Sequence, residues 1–134
     1  MRYGRQMYRV ILVDDQPIFR DIIRGVLQRT GRFQFAGEAE NGAEAVSLYR
    51  RVKPDLVIMD VQMAHMNGFE ATTRMREIDP DAIVLLTSMR ADDSYARAAR
   101  ECGAAGFVPK RQLEAAAVMS LLESSLPGSE QQAA

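Results

Sequence analysis

Short apolar segments alternate with amphipathic helical segments five times along this chain, and this alternation restricts the fold more than any other feature. Residues 10–13 and 56–59 are unbroken runs of four apolar residues. Such runs are typical of strands that are buried on both faces of a sheet. Strands that alternate with helices through short connections form a parallel sheet covered by helices on both faces. The predicted fold class is therefore α/β.

The predicted elements fill most of the chain. We expect strands over residues 8–13, 33–39, 56–59, 82–86 and 105–108, and helices over residues 17–29, 43–52, 69–78, 92–102 and 112–126. Pro17 suits the first turn of the first helix, where a backbone N–H has no partner in any case. Residues 1–7 are predicted to be a flexible arm and residues 127–134 a disordered tail, which leaves one domain over residues 8–126.

Composition and charge argue against several classes of protein. The chain has 134 residues, of which 47% are hydrophobic, and a formal net charge of −1. These values are typical of a globular domain. The overall charge does not favour direct binding to DNA or to an anionic membrane. No apolar run approaches the roughly 18 residues of a membrane-spanning helix, and no export signal precedes the first strand. The single cysteine, Cys102, fits a reducing compartment, so we expect a cytoplasmic protein.

Polar residues follow the apolar strands at positions that bring them to one edge of the sheet. The residues in question are Asp14 and Asp15 after the first strand, Asp60 after the third, Thr87 after the fourth and Lys110 after the fifth. The carboxyl ends of parallel strands meet at one edge of a sheet, so we expect these side chains to converge. An acid at the end of a buried strand is costly unless its charge is used there.

Three carboxylates held together need a cation. At a separation of about 4 Å, each pair repels by about 4 kcal/mol at an effective dielectric constant of 20. Carboxylate oxygens favour a hard cation, so we predict that Mg²⁺ or Mn²⁺ binds to Asp14, Asp15 and Asp60. Asp15 is expected to bind directly and Asp14 partly through water, and the backbone carbonyl of Gln62 is predicted to supply a further oxygen. Because Mg²⁺ also binds phosphate oxygens, we expect a phosphate group to complete the coordination shell.

These residue types predict phosphoryl transfer to Asp60. Its carboxylate is expected to attack phosphorus and form an acyl phosphate, a reaction that depends mainly on positioning and charge neutralisation. Lys110, one of only two lysines in the chain, is expected to neutralise a phosphate oxygen. Thr87 is expected to donate a hydrogen bond to another phosphate oxygen. Ser88 is small and leaves room for the phosphodonor to approach.

The chain resembles the receiver domains of two-component response regulators over residues 8–126. The segments that carry the resemblance are LVDD at 12–15, VIMD at 57–60, MNG at 66–68, LTS at 86–88 and FVPK at 107–110. The segments VDDQPIFR at 13–20 and GAAGF at 103–107 are most similar to receivers of the LuxR/NarL-type regulators. Each segment alone is a weak signal, but the combination is specific.

The resemblance implies a flavodoxin-like (βα)5 fold with a doubly wound sheet of strand order 2-1-3-4-5. It also implies that a sensor histidine kinase or a phosphotransfer protein donates its phosphoryl group to Asp60 in the presence of Mg²⁺. Thr87 then moves toward the phosphate and Phe107 swings inward. The face formed by helix 4, strand 5 and helix 5 changes, and binds a partner or a second copy of the chain. Such a domain is regulatory, with only self-phosphotransfer and autodephosphorylation of its own.

The chain departs from the family pattern at three positions. Ala64 stands where proline is common, Asn67 where aspartate is common, and Phe107 where tyrosine is common. No DNA-binding domain is expected after residue 126, because the eight residues that remain are too few. A stand-alone receiver and a truncated longer regulator both remain open.

Other interpretations of the same residues remain open at this stage. A pseudo-receiver works as an interaction module without phosphorylation. An aspartyl-phosphate hydrolase of the haloacid dehalogenase type needs a second acid two residues after Asp60, where this chain has Gln62. A flavin-binding flavodoxin-like domain needs a loop after the first strand that accepts phosphate, whereas Asp14 and Asp15 repel it. Taken alone, the same two acids also suit the N-cap of a helix.

Overall fold

Five strands and five α-helices alternate in the part of the chain that the computed structural model describes, residues 7–90 and 92–126. The strands are β1 (Tyr8–Val13), β2 (Phe33–Ala39), β3 (Leu56–Asp60), β4 (Val84–Ser88) and β5 (Gly106–Pro109). The helices are α1 (Pro17–Gln28), α2 (Gly42–Val52), α3 (Gly68–Ile78), α4 (Asp93–Glu101) and α5 (Ala115–Ser125). Of the predicted arm only Met7 belongs to the described residues, and the predicted tail, residues 127–134, lies outside them.

All neighbouring strands pair in parallel, in the order β2-β1-β3-β4-β5. The predicted fold class and strand order are therefore confirmed. Every residue of β3 and β4 is buried, whereas β2 at the edge of the sheet is buried only at its two ends. This difference follows from the apolar runs of the central strands and the alternating pattern of the edge strand.

Two apolar layers lie on opposite faces of the sheet. Successive residues of a strand point to opposite faces, so Leu56 and Ile58 of β3 pack in one layer while Val57 and Met59 pack in the other. The first layer includes buried residues of α1 and α5, and the second includes buried residues of α2, α3 and α4. The helices thus cover both faces, and the carboxyl edge of the sheet is left for the polar residues.

Two elements begin two or more residues later than the sequence predicts. Strand β4 begins at Val84 rather than at residue 82 and includes Thr87 and Ser88, because both continue the pairing with the neighbouring strands. Helix α5 begins at Ala115 rather than at residue 112, because residues Lys110–Gln112 form a separate 3₁₀ helix. The other bounds agree with the prediction to within one residue.

None of the helices in the described part of the chain combines the length and the hydropathy that crossing a membrane requires.

Candidate functional site

Asp14 is held at the end of β1 by contacts on both its backbone and its side chain. Its backbone N–H donates to the carbonyl oxygen of Ala39 at 3.1 Å. Its Oδ1 accepts from the backbone N–H of Gln16 at 3.0 Å, and its Oδ2 lies 2.7 Å from Nζ of Lys110. The residue is 1% exposed. A buried carboxylate is tolerated here because a cation and a backbone donor both face it.

Asp60 is the last residue of β3 and pairs in register with Thr87 of β4. It is buried, and its Oδ1 lies 3.8 Å from Nζ of Lys110. Burial, followed by the nearby charge of Asp14, raises the pKa of Asp60 to about 6, while Lys110 acts in the opposite direction. One lysine thus offsets only part of the unfavourable environment of the Asp60 carboxylate.

Three carboxylates converge at the carboxyl edge of the sheet. Asp14, Asp15 and Asp60 each offer a ligand atom, and these atoms lie within 4.8 Å of one another. Asp14 and Asp60 are buried, whereas Asp15 is exposed. Within the described residues, three carboxylates in this cluster face the ammonium of Lys110, and this excess of negative charge suits a divalent cation. The all-oxygen donor set fits a hard cation such as Mg²⁺.

Thr87 and Ser88 lie at the end of β4, beside the acidic cluster, and both are buried. The hydroxyl of Thr87 has no hydrogen-bond partner among the residues described by the structure. The hydroxyl oxygen of Ser88, in contrast, accepts from the backbone N–H of Arg90 at 3.1 Å. Thr87 therefore carries a buried hydroxyl that can donate a hydrogen bond to a group bound in the site.

Lys110 follows β5 directly and projects across the site. Its side chain is 7% exposed and contacts both Asp14 and Asp60. Its Nζ also lies 3.7 Å from the ring centroid of Phe19 on α1, a cation–π contact that holds the ammonium in place. The sequence analysis did not identify Phe19 as a site residue, because helical spacing explained it as part of an apolar helix face. Its place on the first turn after the acidic pair does not by itself indicate the contact, because the rotation of α1 decides which side chain faces Lys110.

The loop after β3 is held closely against the site. A Cβ atom at Gly68 would lie 2.6 Å from the backbone oxygen of Asp60, so only glycine fits at this position. The side chain of Asn67 accepts from the backbone N–H of Glu70, and the Glu70 side chain accepts from the N–H of Asn67, which forms a capping box. The Asn67–Gly68 pair therefore begins α3 directly beside Asp60.

An aromatic row extends from this loop region to β5. The ring of Tyr95 on α4 packs edge-to-face against Phe69, with centroids 5.7 Å apart, and against Phe107, also at 5.7 Å. Phe107 is partly buried in this arrangement. A cleft of about 460 Å³, lined by Asp15, Gln62 and Tyr95 among others, opens beside the acidic cluster. The sequence analysis also missed Tyr95, which reaches the loop only because of the way α4 packs.

The structure therefore brings together most of the residues that the sequence singled out. The acids, Lys110, Thr87 and Ser88 lie at one edge of the sheet, and Phe107 lies on β5 behind the aromatic ring of Tyr95. The role of the Gln62 backbone carbonyl, like the roles of the other site residues, stays a prediction. The side chain of Gln62 points toward α4, where its amide donates to the hydroxyl oxygen of Tyr95.

Comparison with known proteins identifies the family. The family model described as response regulator receiver domain matches residues 10–122. Chemotaxis protein CheY of Thermotoga maritima is 37% identical over 102 residues, which are 76% of this chain and 84% of that protein. Transcriptional regulatory protein DegU of Brevibacillus brevis is 30% identical over 102 residues, but the match spans only 43% of its length.

A solved structure supports the same assignment. The two-component response regulator of the LuxR family from Aurantimonas sp. SI85-9A1 superposes with a TM-score of 0.83 and 32% identity, over 94% of each chain. The predicted similarity to LuxR-type receivers is thus confirmed, and the hydrolase and flavin interpretations are not favoured. With the family match, the strand order and the edge cluster in agreement, this chain belongs to the receiver domains of response regulators.

Proposed function

We propose that this domain, over residues 8–126, is a phosphorylation-dependent signalling receiver in which Asp60 is the phosphoacceptor. The observation that carries the proposal is the cluster of Asp14, Asp15 and Asp60 within 4.8 Å, with the Lys110 ammonium 3.8 Å from Asp60. Asp60 is the carboxylate that lies both beside the other two acids and at the end of the central strand. The phosphodonor is a sensor histidine kinase or a phosphotransfer protein.

Mg²⁺, or Mn²⁺ in its place, is the cofactor that the acidic cluster fits. Asp14, Asp15 and Asp60 are the proposed protein ligands, with the backbone carbonyl of Gln62 as a further oxygen. A bound divalent cation neutralises charge on the phosphoryl oxygens and on the carboxylates. The excess of negative charge in the cluster supports this assignment, because Lys110 alone does not balance it.

The chain's own residues position and neutralise the reacting group. An oxygen of the Asp60 carboxylate forms a bond to phosphorus as the bond between phosphorus and the imidazole nitrogen of the donor breaks, and the leaving imidazole takes up a proton. Lys110 faces a phosphoryl oxygen, Thr87 donates its hydroxyl hydrogen to another, and Ser88 leaves the approach open. Positioning and charge neutralisation of this kind account for most of the catalysis in phosphoryl transfer.

The proposed output is a change of the face formed by α4, β5 and α5. The buried hydroxyl of Thr87 gains an acceptor when Asp60 is phosphorylated, and its movement opens space that Phe107 occupies. The phosphoryl group thus biases an equilibrium between two conformations. The changed face binds a downstream partner or a second copy of the chain. The domain is regulatory, acts in the cytoplasm and contacts neither DNA nor a membrane directly.

Incubation with Mg²⁺ and acetyl phosphate tests the assignment. The intact mass is expected to rise by one phosphoryl group, and hydroxylamine is expected to remove the label, as for an acyl phosphate. Asp60→Asn should abolish labelling, as should chelation of the metal with EDTA. Asp55→Asn, which changes an acid at the opposite end of β3, is the matched control and should label normally. An unchanged wild-type mass would refute the proposal and favour the pseudo-receiver.

A further inference from the structure

We propose that Arg20 is a positioning residue for the metal site, because it holds the peptide group that joins Asp14 to Asp15. In this role Arg20 directs the exposed carboxylate of Asp15 toward the cation without contacting the cation itself. The inference rests on the proposed function, since Mg²⁺ is the ligand whose affinity it affects.

Arg20 lies on the first turn of α1 and reaches back to the end of β1. Its Nη1 donates a hydrogen bond of 2.5 Å to the backbone oxygen of Asp14. Its Nε donates to Oε1 of Glu38 on β2 at 2.7 Å, and the side chain is 12% exposed. Glu38 pairs in register with Leu12 of β1, so the anchor of the guanidinium is itself part of the sheet.

The two acids of the β1–α1 turn depend on Arg20 to different degrees. The carboxylate of Asp14 is fixed independently, by the backbone N–H of Gln16 and by Lys110. Asp15 is exposed, and within residues 7–90 and 92–126 it makes no hydrogen bond or ion pair of its own. The direction of the Asp15 side chain therefore depends on its backbone.

A peptide group is planar, so its oxygen and the following Cα atom move together. A hydrogen bond that fixes the oxygen of Asp14 therefore also fixes the direction in which the chain enters Asp15. Arginine suits this task because its guanidinium offers donors in a rigid planar arrangement, and here one nitrogen is anchored while another holds the peptide. Glu38 neutralises the charge, so the effect of Arg20 is positional rather than a second counter-charge for the site.

Arg24 provides a matched control on the same helix. It lies one turn after Arg20 and also pairs with Glu38, and it bonds to Asp21 at 2.8 Å. It stacks over the ring of Phe35 and has no contact with Asp14. Loss of the Arg24 guanidinium therefore disturbs Glu38 and the helix surface but leaves the Asp14–Asp15 peptide held.

The test is a titration of the full chain with MgCl₂ in the absence of a phosphodonor. Binding is measured from the shifts of the backbone amide NMR signals. Arg20→Met is expected to weaken Mg²⁺ binding about tenfold, the usual scale for a group that orients a metal ligand. The Mg²⁺ affinity of Arg24→Met is expected to stay within about twofold of the wild-type affinity. In metal-free protein, the carbonyl ¹³C shift of Asp14 should change in Arg20→Met and not in Arg24→Met, because Arg20 donates a hydrogen bond to that oxygen and Arg24 does not.

The outcomes separate this inference from the proposed function. Wild-type protein that does not respond to Mg²⁺ would refute the metal site itself. Wild-type and Arg20→Met proteins that bind Mg²⁺ equally would overturn only the role of Arg20. If Arg20→Met does not fold, the double variant Arg20→Met/Glu38→Gln removes both charges of the pair and leaves no acid without its partner. The same loss of affinity is then expected, and its absence would overturn the role of Arg20.

Discussion

The side-chain amide of Gln62 donates a hydrogen bond to the hydroxyl oxygen of Tyr95, with 3.2 Å between Nε2 and Oη. Gln62 lies in the loop after β3, two residues beyond Asp60, whereas Tyr95 lies on α4. The ring of Tyr95 also packs against Phe107 of β5, with centroids 5.7 Å apart. The side chain of Tyr95 thus links the loop beside the acidic cluster to α4 and β5, two elements of the face that is proposed to change.

Loss of this hydrogen bond is expected to loosen α4. A hydrogen bond contributes about 1 kcal/mol, so Tyr95→Phe should raise hydrogen exchange of the α4 amides about fivefold. The packing against Phe69 and Phe107 is kept, because the ring is unchanged. Amide exchange measured by NMR or mass spectrometry, without a phosphodonor, checks the prediction.

Tyr49→Phe is the matched control for Tyr95→Phe. The hydroxyl of Tyr49 donates to Asp79 at 2.8 Å, and this bond joins α2 to the end of α3, away from α4. Its loss should leave exchange in α4 unchanged. Equal exchange rates in α4 for Tyr95→Phe and wild type would show that the bond to Gln62 does not restrain the helix.

The raised pKa of Asp60 predicts how stability depends on pH in the absence of metal. Burial and the charge of Asp14 raise this pKa to about 6, above its value in the unfolded chain. Between about pH 4 and pH 6 the folded state therefore holds a proton that the unfolded state has released, and the free energy of unfolding falls as pH rises. Asp60→Asn avoids this loss and should be more stable than wild type near neutral pH, by on the order of 2 kcal/mol.

Urea denaturation in EDTA measures this difference. The advantage of Asp60→Asn should be present at about pH 7.5 and nearly absent near pH 4, where both chains carry an uncharged group. Asp92→Asn is a suitable control, because hydrogen bonds from Ser94 lower the pKa of this exposed acid. It should give no such gain, and a wild type as stable as Asp60→Asn at about pH 7.5 would contradict the prediction.

The convergence of the site residues could be predicted from the sequence because it follows from topology. Asp14, Asp60 and Lys110 each come directly after an apolar run, and parallel strands bring such positions to one edge. The same argument placed Thr87 beside Asp60, and the two residues are in register. The strand order itself came from the family resemblance rather than from the spacing of the elements.

The contacts that depend on how helices rotate and on side-chain conformation could not be predicted. Phe19 lies under Lys110 because of the rotation of α1, and Tyr95 reaches Gln62 because α4 packs close to the loop. The contact of Arg20 with the backbone of Asp14 has no signature in residue spacing. The short 3₁₀ helix after β5 was missed because its residues also suit the start of an α-helix.

Removal of the Lys110 charge is expected to affect metal and phosphoryl binding in opposite directions. In Lys110→Met the three carboxylates lose the neighbouring ammonium group, which competes with Mg²⁺ for their negative charge. Mg²⁺ should therefore bind severalfold more tightly. Labelling by acetyl phosphate should fall at least about tenfold, because a phosphoryl oxygen loses its counter-charge. A Mg²⁺ titration and a time course of intact mass measure the two effects.

The other lysine of the chain is the matched control for Lys110. Lys53 is exposed at the end of α2, before β3 begins, and so lies toward the edge of the sheet opposite the acidic residues. The same substitution there should change neither measurement. Labelling of Lys110→Met at the wild-type rate would contradict the role proposed for this residue.

The buried hydroxyl of Thr87 predicts a stabilising substitution. Thr87 is 1% exposed and its hydroxyl has no partner within the described residues, so Thr87→Val removes an unsatisfied polar group at nearly constant shape. The free energy of unfolding of the unphosphorylated domain should rise by about 1 kcal/mol. Thr72→Val should have the opposite sign, because the Thr72 hydroxyl donates to the backbone oxygen of Gly68 at 2.7 Å.

The same substitution separates phosphorylation from the response to it. Thr87→Val keeps the acids and Lys110, so acetyl phosphate should still label Asp60. The NMR signals of Phe107 should nevertheless shift little on labelling, because valine has no hydroxyl to follow the phosphoryl group. Thr72→Val should show the wild-type shift, since the Thr72 hydroxyl bonds to Gly68 within α3. Full shifts of Phe107 in labelled Thr87→Val would mean that the response does not pass through this hydroxyl.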